Sequence, residues 1–252
     1  MGERHTKHEV VEFLHRRSIS LVGVAETPRL PAVPGNGSPH SILRDVKTVI
    51  CYGVPIPRGI LYADNHDMSL YWRYCTILYK SLDIASNQLC LFLEDKGYRA
   101  CPIYGCYPMR TVGRQYWGLL PLVHWAEEAG LGRLTKSGLL ANPEYGTRII
   151  LGGVLSTAPL PPSVKCADDP CPSDCFDCVD ACPVHAIARG GGVDHAACMR
   201  FANASPLLEN VLRDRTAREK FPFETILNTV AVDEHATYSC NACMKVCPLN
   251  RK

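Results

Sequence analysis

The stretch that decides the fold is CPSDCFDCVDACP (171–183), together with its shorter counterpart CNACMKVCP (240–248). The first has the spacing Cys-x3-Cys-x2-Cys-x3-Cys-Pro, and the second has Cys-x2-Cys-x3-Cys-Pro. Gaps this short let the backbone wrap a cubane so that successive thiolates reach different irons, and the last cysteine of such a run ligates another cluster. The spacing therefore predicts two [4Fe–4S] clusters held by interleaved motifs.

The same interleaving predicts which cysteines share a cluster. Each cluster combines cysteines from both motifs, and one further cysteine, in HAACMRF (195–201), completes a set of eight. The predicted metal ligands are Cys171, Cys175, Cys178 and Cys247 for cluster 1, and Cys182, Cys198, Cys240 and Cys243 for cluster 2.

Two alternatives bear on this assignment. The first gap of the longer motif has three residues instead of two, so Cys166 is a rival for Cys171 as a ligand. The eight-residue gap from Cys166 to Cys175 would, however, distort the loop around the cluster more than the three-residue gap does. Structural zinc also uses paired Cys-x2-Cys, but such sites usually lack the third cysteine and the trailing proline. We therefore favour iron–sulfur clusters with Cys171 as a ligand.

Composition indicates the compartment. The chain has 252 residues and 14 cysteines, five in residues 1–165 and nine in residues 166–247. No secretory signal and no apolar run of membrane-spanning length is visible, so we expect a cytoplasmic protein whose cysteines bind metal instead of forming disulfides. The formal net charge of +2 is too small to indicate a protein that binds nucleic acid.

The cysteines of the N-terminal part have a simpler interpretation. We expect them to be small buried hydrophobic residues; the alternative is a third cluster or a redox pair, for which Cys101 and Cys106 are the first choice. The five are Cys51, Cys75, Cys90, Cys101 and Cys106.

Hydrophobic periodicity predicts alternating helices and strands in the first 160 residues. Helices are expected at 8–17, 70–96 and 121–129, strands at 18–25, 46–54, 98–102 and 148–155, and a loop at 28–40. This pattern is typical of an α/β (α+β) domain, which we place at residues 1–162. Residues 163–252 form a small domain organised around metal, with a helix at 206–230.

Several motifs resemble one known superfamily. GYRA (97–100), AGLGRLTKSGLL (129–140), NPEYGTR (142–148) and LGGVLSTAPL (151–160), followed by the cysteine motifs, are similar to epoxyqueuosine reductases and reductive dehalogenases. The resemblance covers the chain from about residue 45 to its end. It implies a nitroreductase/flavin-reductase-like N-terminal domain that binds a corrinoid, and a bacterial-ferredoxin-like C-terminal domain with two [4Fe–4S] clusters.

The resemblance also implies site residues. Aligned by eye, Tyr116 in GRQYWG (113–118) takes the place of the proton donor, supported by Lys136, Arg133 or Arg114; a plain packing role for Tyr116 is the alternative. The expected cofactor-binding residues are Gly130, Gly132, Lys136, Ser137 and Gly138. The alternative for the glycines is that they serve helix ends and bends.

Three functions fit these features. The first is a reductase that passes low-potential electrons from a ferredoxin or flavodoxin through the clusters to a corrinoid (cobalamin) or a small-molecule substrate. The second is a ferredoxin-like electron-transfer protein with no organic cofactor, and the third is a reductive activator of another protein. The chain stops four residues after the last cluster proline, where epoxyqueuosine reductases continue into a region that helps hold tRNA. We therefore expect no nucleic-acid partner and no membrane association.

Overall fold

The structure is a computed structural model that describes residues 2–27, 37–63, 67–106, 108–167, 169–202 and 240–251. Its centre is a four-stranded antiparallel sheet in the order β1-β2-β8-β3. These strands are β1 (Leu21–Glu26), β2 (Thr48–Pro55), β3 (Ala100–Ile103) and β8 (Ile149–Ser156). The two central strands, β2 and β8, are the two longest and consist almost entirely of apolar residues, as expected for strands covered on both faces.

Helices cover both faces of this sheet. Side chains alternate between the faces along a strand, so Ile50 and Val154 pack in a core with helices α1 and α4, while Val49 and Leu155 pack in a second core with α5. These helices are α1 (Gly2–His15), α4 (Asp67–Glu94) and α5 (Leu122–Glu128). The N-terminal part is thus a three-layer structure.

Shorter elements complete the chain. Two short helices, α2 (Pro39–Ile42) and α3 (Arg58–Leu61), precede α4. Two hairpins are formed by β4 (Met109–Val112) with β5 (Gln115–Gly118), and by β6 (Arg133–Leu134) with β7 (Leu140–Ala141). The cysteine-rich part contains α6 (Asp177–Asp180), α7 (His195–Ala202), α8 (Ala242–Val246) and a 3-10 turn (Pro248–Asn250). Its own apolar core is small and centres on Cys182, Ala186 and Ile187.

The sequence predicted the mixed α/β character and the positions of the main elements. The long helix at 70–96 is α4, and Gly97 follows it with φ +84°, as expected of a glycine just past a helix end. The sequence did not predict the hairpins or that the sheet is entirely antiparallel. The helix at 206–230 and most of the loop at 28–40 lie outside the described residues, and the boundary at residue 162 remains a prediction.

One negative finding concerns membranes. Within the described ranges, no helix is both long and apolar enough to span a bilayer.

Candidate functional site

Four thiols line a small cavity of about 20 Å³ where the two cysteine motifs meet. They are Cys171, Cys175, Cys178 and Cys247, the residues predicted to hold cluster 1. Burial and the closeness of the other three thiols raise the pKa of Cys178. Its rival Cys166 lies elsewhere, with its Sγ donating to the Gly130 carbonyl at 3.3 Å. The geometry thus brings Cys171 to this group and leaves Cys166 outside it.

A second group of thiols lies next to the first. Burial, followed by the proximity of Cys240 and Cys182, raises the pKa of Cys198 to about 11. Burial also raises the pKa of Cys243 to about 12, and the thiols that add to this rise are Cys198, Cys240, Cys178 and Cys182. The four residues predicted for cluster 2 are therefore neighbours, and Cys178 links them to the first group.

Hydrogen-bond donors point at the sulfurs of both groups. The backbone N–H of Ala186 donates to Cys182 Sγ at 3.2 Å, and that of Ala242 donates to Cys240. The Leu249 N–H and the Thr147 hydroxyl donate to Cys247. Such donors favour the thiolate form that binds metal, so the surroundings suit ligand sulfurs.

The spacing of these thiols disfavours the zinc alternative. In the described part of the chain, no three His, Cys, Asp or Glu side chains lie close enough to share one metal ion. Structural zinc requires four ligands within about 2.0–2.3 Å of one ion, whereas each thiolate of a [4Fe–4S] cluster binds a different iron. The donor set therefore fits a cluster better than a single ion.

A larger cavity of about 360 Å³ lies between the second thiol group and the N-terminal layers. Its lining includes Cys198, Cys240 and Cys243 on one side and Tyr71 and Tyr79 of α4 on another. The remaining lining is largely apolar and aromatic, and its volume is in the range of small-molecule sites, about 300–1,000 Å³. The cavity therefore opens directly onto the sulfurs predicted to hold cluster 2.

Tyr116 lines this cavity from the β4–β5 hairpin. The hairpin is held by His195, whose Nδ1 lies 2.9 Å from the Tyr116 carbonyl oxygen and 3.2 Å from its backbone nitrogen. The shorter distance favours Nδ1–H donating to the carbonyl. His195 also lines the cavity, and its ring meets that of Trp117 edge-on at 5.6 Å.

The three basic residues predicted to support Tyr116 make contacts of their own. Arg114 is close enough to Tyr116 to interact with it electrostatically, but its guanidinium forms an ion pair with Asp194. Arg133 Nε lies 3.4 Å from Glu127. Lys136 Nζ donates to the Pro172 carbonyl beside the first thiol group.

The predicted cofactor-binding residues divide into two groups. Ser137 and Gly138 line the large cavity. A Cβ at Gly130 would lie 2.1 Å from the Val164 carbonyl oxygen, and one at Gly132 would lie 2.2 Å from that of Ala141. These two glycines therefore permit close backbone packing. Lys136 lies at the first thiol group.

The five N-terminal cysteines, all of which lie in the described part of the chain, form no disulfide. Four of them are buried, as expected, and Cys101 is partly exposed. Cys106 lines the large cavity, a position that its sequence context did not indicate.

Sequence reasoning missed three residues of the site. Thr147 and Asn250 form a buried pair next to Cys247, and His195 holds the hairpin that carries Tyr116. The one local signal for them is the position of Asn250, two residues after the last motif. Their partners are distant in sequence, so the contacts could not be read from spacing.

Solved structures share this fold. An epoxyqueuosine reductase crystallised with an epoxyqueuosine-modified tRNA-Tyr stem loop matches 98% of this chain and 66% of its own, with a TM-score of 0.64 and 21% identity. A catabolic reductive dehalogenase matches 96% of this chain and 31% of its own, with a TM-score of 0.60 and 14% identity. The chain thus shares the fold of these two solved proteins.

Sequence relatives carry one of these names. An epoxyqueuosine reductase of Synechococcus sp. (strain RCC307) is 35% identical over 130 residues, which are 50% of this chain and 34% of that protein. One of Bacillus subtilis (strain 168) is 31% identical over 126 residues, 50% of this chain and 28% of that protein. The match therefore spans about a third of the relatives' length, and no family model matches the chain. The resemblance inferred from the motifs is confirmed.

One expectation needs correction. We expected no nucleic-acid partner, which is at odds with the tRNA stem loop bound by a structural relative. The expectation rested on the net charge and on the end of the chain. A net charge of the whole chain does not report on local charge, and a chain that matches only part of its relatives permits no conclusion from its end.

Proposed function

We propose that the chain is an iron–sulfur reductase that delivers electrons through two [4Fe–4S] clusters to an acceptor in the large cavity. The observation that carries this proposal is that Cys198, Cys240 and Cys243 line that cavity. The relatives named epoxyqueuosine reductase support a reductase role. Bound clusters would supply electrons one at a time.

The two thiol groups would hold the clusters. Cys171, Cys175, Cys178 and Cys247 would bind the first, and Cys182, Cys198, Cys240 and Cys243 the second. Because Cys178 lies next to Cys243, an electron would cross only a short distance between the two thiol groups. The first group faces the Lys136–Pro172 contact, and the second faces the cavity. This order suits transfer from an outside donor, such as a ferredoxin or flavodoxin, toward the cavity.

Tyr116 would deliver a proton to the reduced acceptor. Tyr116 lines the same cavity as the second thiol group, and Arg114 lies near enough to interact with it electrostatically. The apolar lining excludes water, which limits loss of electrons to side reactions.

A corrinoid is a candidate for the acceptor. The flat face of a corrin ring suits a cavity with aromatic and aliphatic walls, and Tyr71, Tyr79, Ser137 and Gly138 would contact it. A corrinoid would supply a cobalt centre able to accept single electrons. We also consider a modified nucleoside of RNA, because the relatives include a protein crystallised with such a stem loop.

The test begins with the clusters. Protein reconstituted anaerobically should contain about eight iron and eight sulfide per chain. Cys171→Ala should lose about half of this iron, whereas Cys166→Ala, the matched control, should retain all of it. About four iron atoms in the unaltered protein would contradict the two-cluster proposal, and loss of iron in Cys166→Ala alone would contradict the ligand assignment.

The acceptor is tested separately. Cob(II)alamin added to the holoprotein should give a changed EPR spectrum, and a Ser137→Leu variant, which narrows the cavity, should abolish the change. An epoxyqueuosine-containing tRNA stem loop should raise fluorescence anisotropy when it binds. If neither ligand binds at tens of micromolar while both clusters are reducible, the electron-transfer function without an organic cofactor replaces the reductase.

A further inference from the structure

Asn241 carries a buried amide that has no hydrogen-bond partner in the described part of the chain. The residue is 3% exposed and lines the large cavity beside the second thiol group. Other buried side-chain atoms of the described residues also lack a partner, but none of them belongs to a residue that lines this cavity. An unpaired buried donor costs stability, because its lost hydrogen bond to water is not replaced. The amide therefore requires an explanation apart from the fold.

The usual reason for an asparagine at this position does not apply. Asn241 directly precedes α8, where an asparagine side chain commonly accepts a hydrogen bond from the first turn of the helix. Within α8, all of whose residues the structure describes, no backbone N–H donates to this side chain. Only the backbone carbonyl of Asn241 accepts, from the N–H groups of Met244 at 3.0 Å and Lys245 at 2.8 Å. The start of α8 therefore does not depend on the amide.

A second buried asparagine in the same segment shows what a structural role looks like. Asn250 Nδ2 donates to the Thr147 hydroxyl and to the Met244 carbonyl, and its Oδ1 accepts from the Thr147 N–H. Both ends of that side chain are thus paired within the protein. The described residues offer Asn241 Nδ2 no acceptor, so its donor is free for a group that is not part of the polypeptide.

The position of Asn241 indicates that this group is cluster 2. Asn241 follows Cys240 directly and lies two residues before Cys243, and both of these predicted ligands line the same cavity. A [4Fe–4S] cluster bound by four thiolates is rich in electrons, and hydrogen bonds to its sulfurs help to set its potential. The backbone N–H of Ala242 already donates to Cys240. An amide between two ligands is well placed to add a second donor.

We propose that the side-chain amide of Asn241 donates a hydrogen bond to a sulfur of cluster 2 and raises the reduction potential of that cluster. The hydrogen bond favours the reduced state, because reduction adds negative charge next to the donor. An electron that arrives from cluster 1 is thereby stabilised at the cluster that faces the cavity. This inference rests on the proposed function, since it requires cluster 2.

Asn241→Leu tests the amide, because leucine is similar in size and has no donor. In an EPR-monitored redox titration of the anaerobic holoprotein, reduction of cluster 2 should become about tenfold less favourable, which is about 59 mV for one electron. Thr147→Val, which removes a donor to Cys247, should shift the other cluster. Val246→Ala, on α8 but outside the cavity lining, is the matched control and should shift neither. Unchanged midpoint potentials in Asn241→Leu, or a shift of the same cluster as in Thr147→Val, overturn the proposal.

A measurement on the unaltered protein makes the test independent of how well the variant folds. Protein labelled with ¹⁵N only in its asparagine side chains should show a ¹⁵N hyperfine coupling in the pulsed EPR spectrum of reduced cluster 2. The coupling should be missing in Asn241→Ala, which is smaller than asparagine and cannot overpack the site. The absence of this coupling in the unaltered protein overturns the proposal.

Two further outcomes separate this inference from the proposed function. If the unaltered protein holds only about four iron atoms, both fail. If it holds about eight, and Asn241→Leu binds cob(II)alamin more weakly with unchanged midpoint potentials, the amide binds the acceptor instead of the cluster. In that case the inference alone fails, and the reductase proposal stands.

Discussion

Asn250 and Thr147 are 103 positions apart and are joined by two hydrogen bonds in a buried pair. Asn250 Oδ1 accepts from the Thr147 backbone N–H at 2.8 Å, and Asn250 Nδ2 donates to the Thr147 hydroxyl at 2.9 Å and to the Met244 carbonyl at 2.7 Å. The Thr147 hydroxyl is left to donate to the sulfur of Cys247. The pair thus fastens the end of the second cysteine motif to the turn that precedes β8.

Thr147→Val tests this link. The substitution removes the Thr147 hydroxyl, which accepts a hydrogen bond from the buried Asn250 amide and donates one to the Cys247 sulfur. The free energy of unfolding should therefore fall by about 1–3 kcal/mol. Hydrogen bonds to cluster sulfurs help to set reduction potentials, and loss of a donor disfavours the added negative charge. The potential of cluster 1 should therefore fall, as measured by an EPR-monitored redox titration. Thr147→Ser, which keeps the hydroxyl, should resemble the unaltered protein; equal potentials in Thr147→Val and Thr147→Ser would contradict the link.

Gly146→Ala tests the same junction by crowding it. Gly146 has φ +60°, and a Cβ there would lie 2.2 Å from Asn250 Oδ1 and 2.6 Å from the Leu249 carbonyl oxygen. Backbone strain and overpacking together should cost about 3 kcal/mol, with loss of iron from cluster 1. Gly190→Ala is the control, because a Cβ at that position has no neighbour within 4 Å. Thermal unfolding and iron content measure both effects, and equal stability of the two variants would count against the packing argument.

Asp83→Asn should alter how stability depends on pH. Burial raises the pKa of Asp83 to about 6, although the Gly105 backbone N–H donates to the carboxylate and lowers it in part, and Asp83 Oδ1 has no hydrogen-bond partner. The folded protein therefore holds this proton more tightly than the unfolded chain does. Protonated Asp83 makes its full contribution to the free energy of unfolding below about pH 4, and this contribution is lost as the pH rises through about 6.

Above pH 7 the Asp83→Asn variant should be the more stable protein by about 1–2 kcal/mol, after discounting for partial solvent exposure. At pH 4 the difference should vanish. Thermal unfolding at pH 4 and pH 8 measures this, with Asp95→Asn, at an exposed residue just after α4, as the control. A variant that is less stable at pH 8 would refute the assignment.

His195→Ala should loosen the hairpin that carries Tyr116. The variant loses the hydrogen bond between His195 Nδ1 and the Tyr116 carbonyl and the ring contact with Trp117. Loss of one such bond should speed hydrogen exchange in β4 and β5 by about 3- to 10-fold. His195→Asn, whose amide can replace Nδ1, should restore part of the protection. Mass spectrometry of exchanged peptides measures this, and unchanged exchange in the alanine variant would show that His195 does not hold the hairpin.

The sequence alone determined the features that depend on neighbours along the chain. The helical periodicity of 70–96 predicted α4, because a helix is fixed by local hydrogen bonds and by one apolar face. Cysteine spacing predicted the two groups of thiols that the structure brings together, because short gaps restrict where a thiolate can reach. Their role as cluster ligands remains a prediction.

Only the tertiary structure decided how distant segments meet. The antiparallel order β1-β2-β8-β3 depends on pairing between strands up to about a hundred residues apart, which local propensity does not encode. The contacts of Thr147 with Asn250 and of Tyr116 with His195 also join distant segments. Lys136, predicted beside Tyr116, instead reaches the first thiol group, because packing of the β6–β7 hairpin against the cysteine loop sets its direction. The site on this protein thus follows from long-range packing, which is a property of the whole chain.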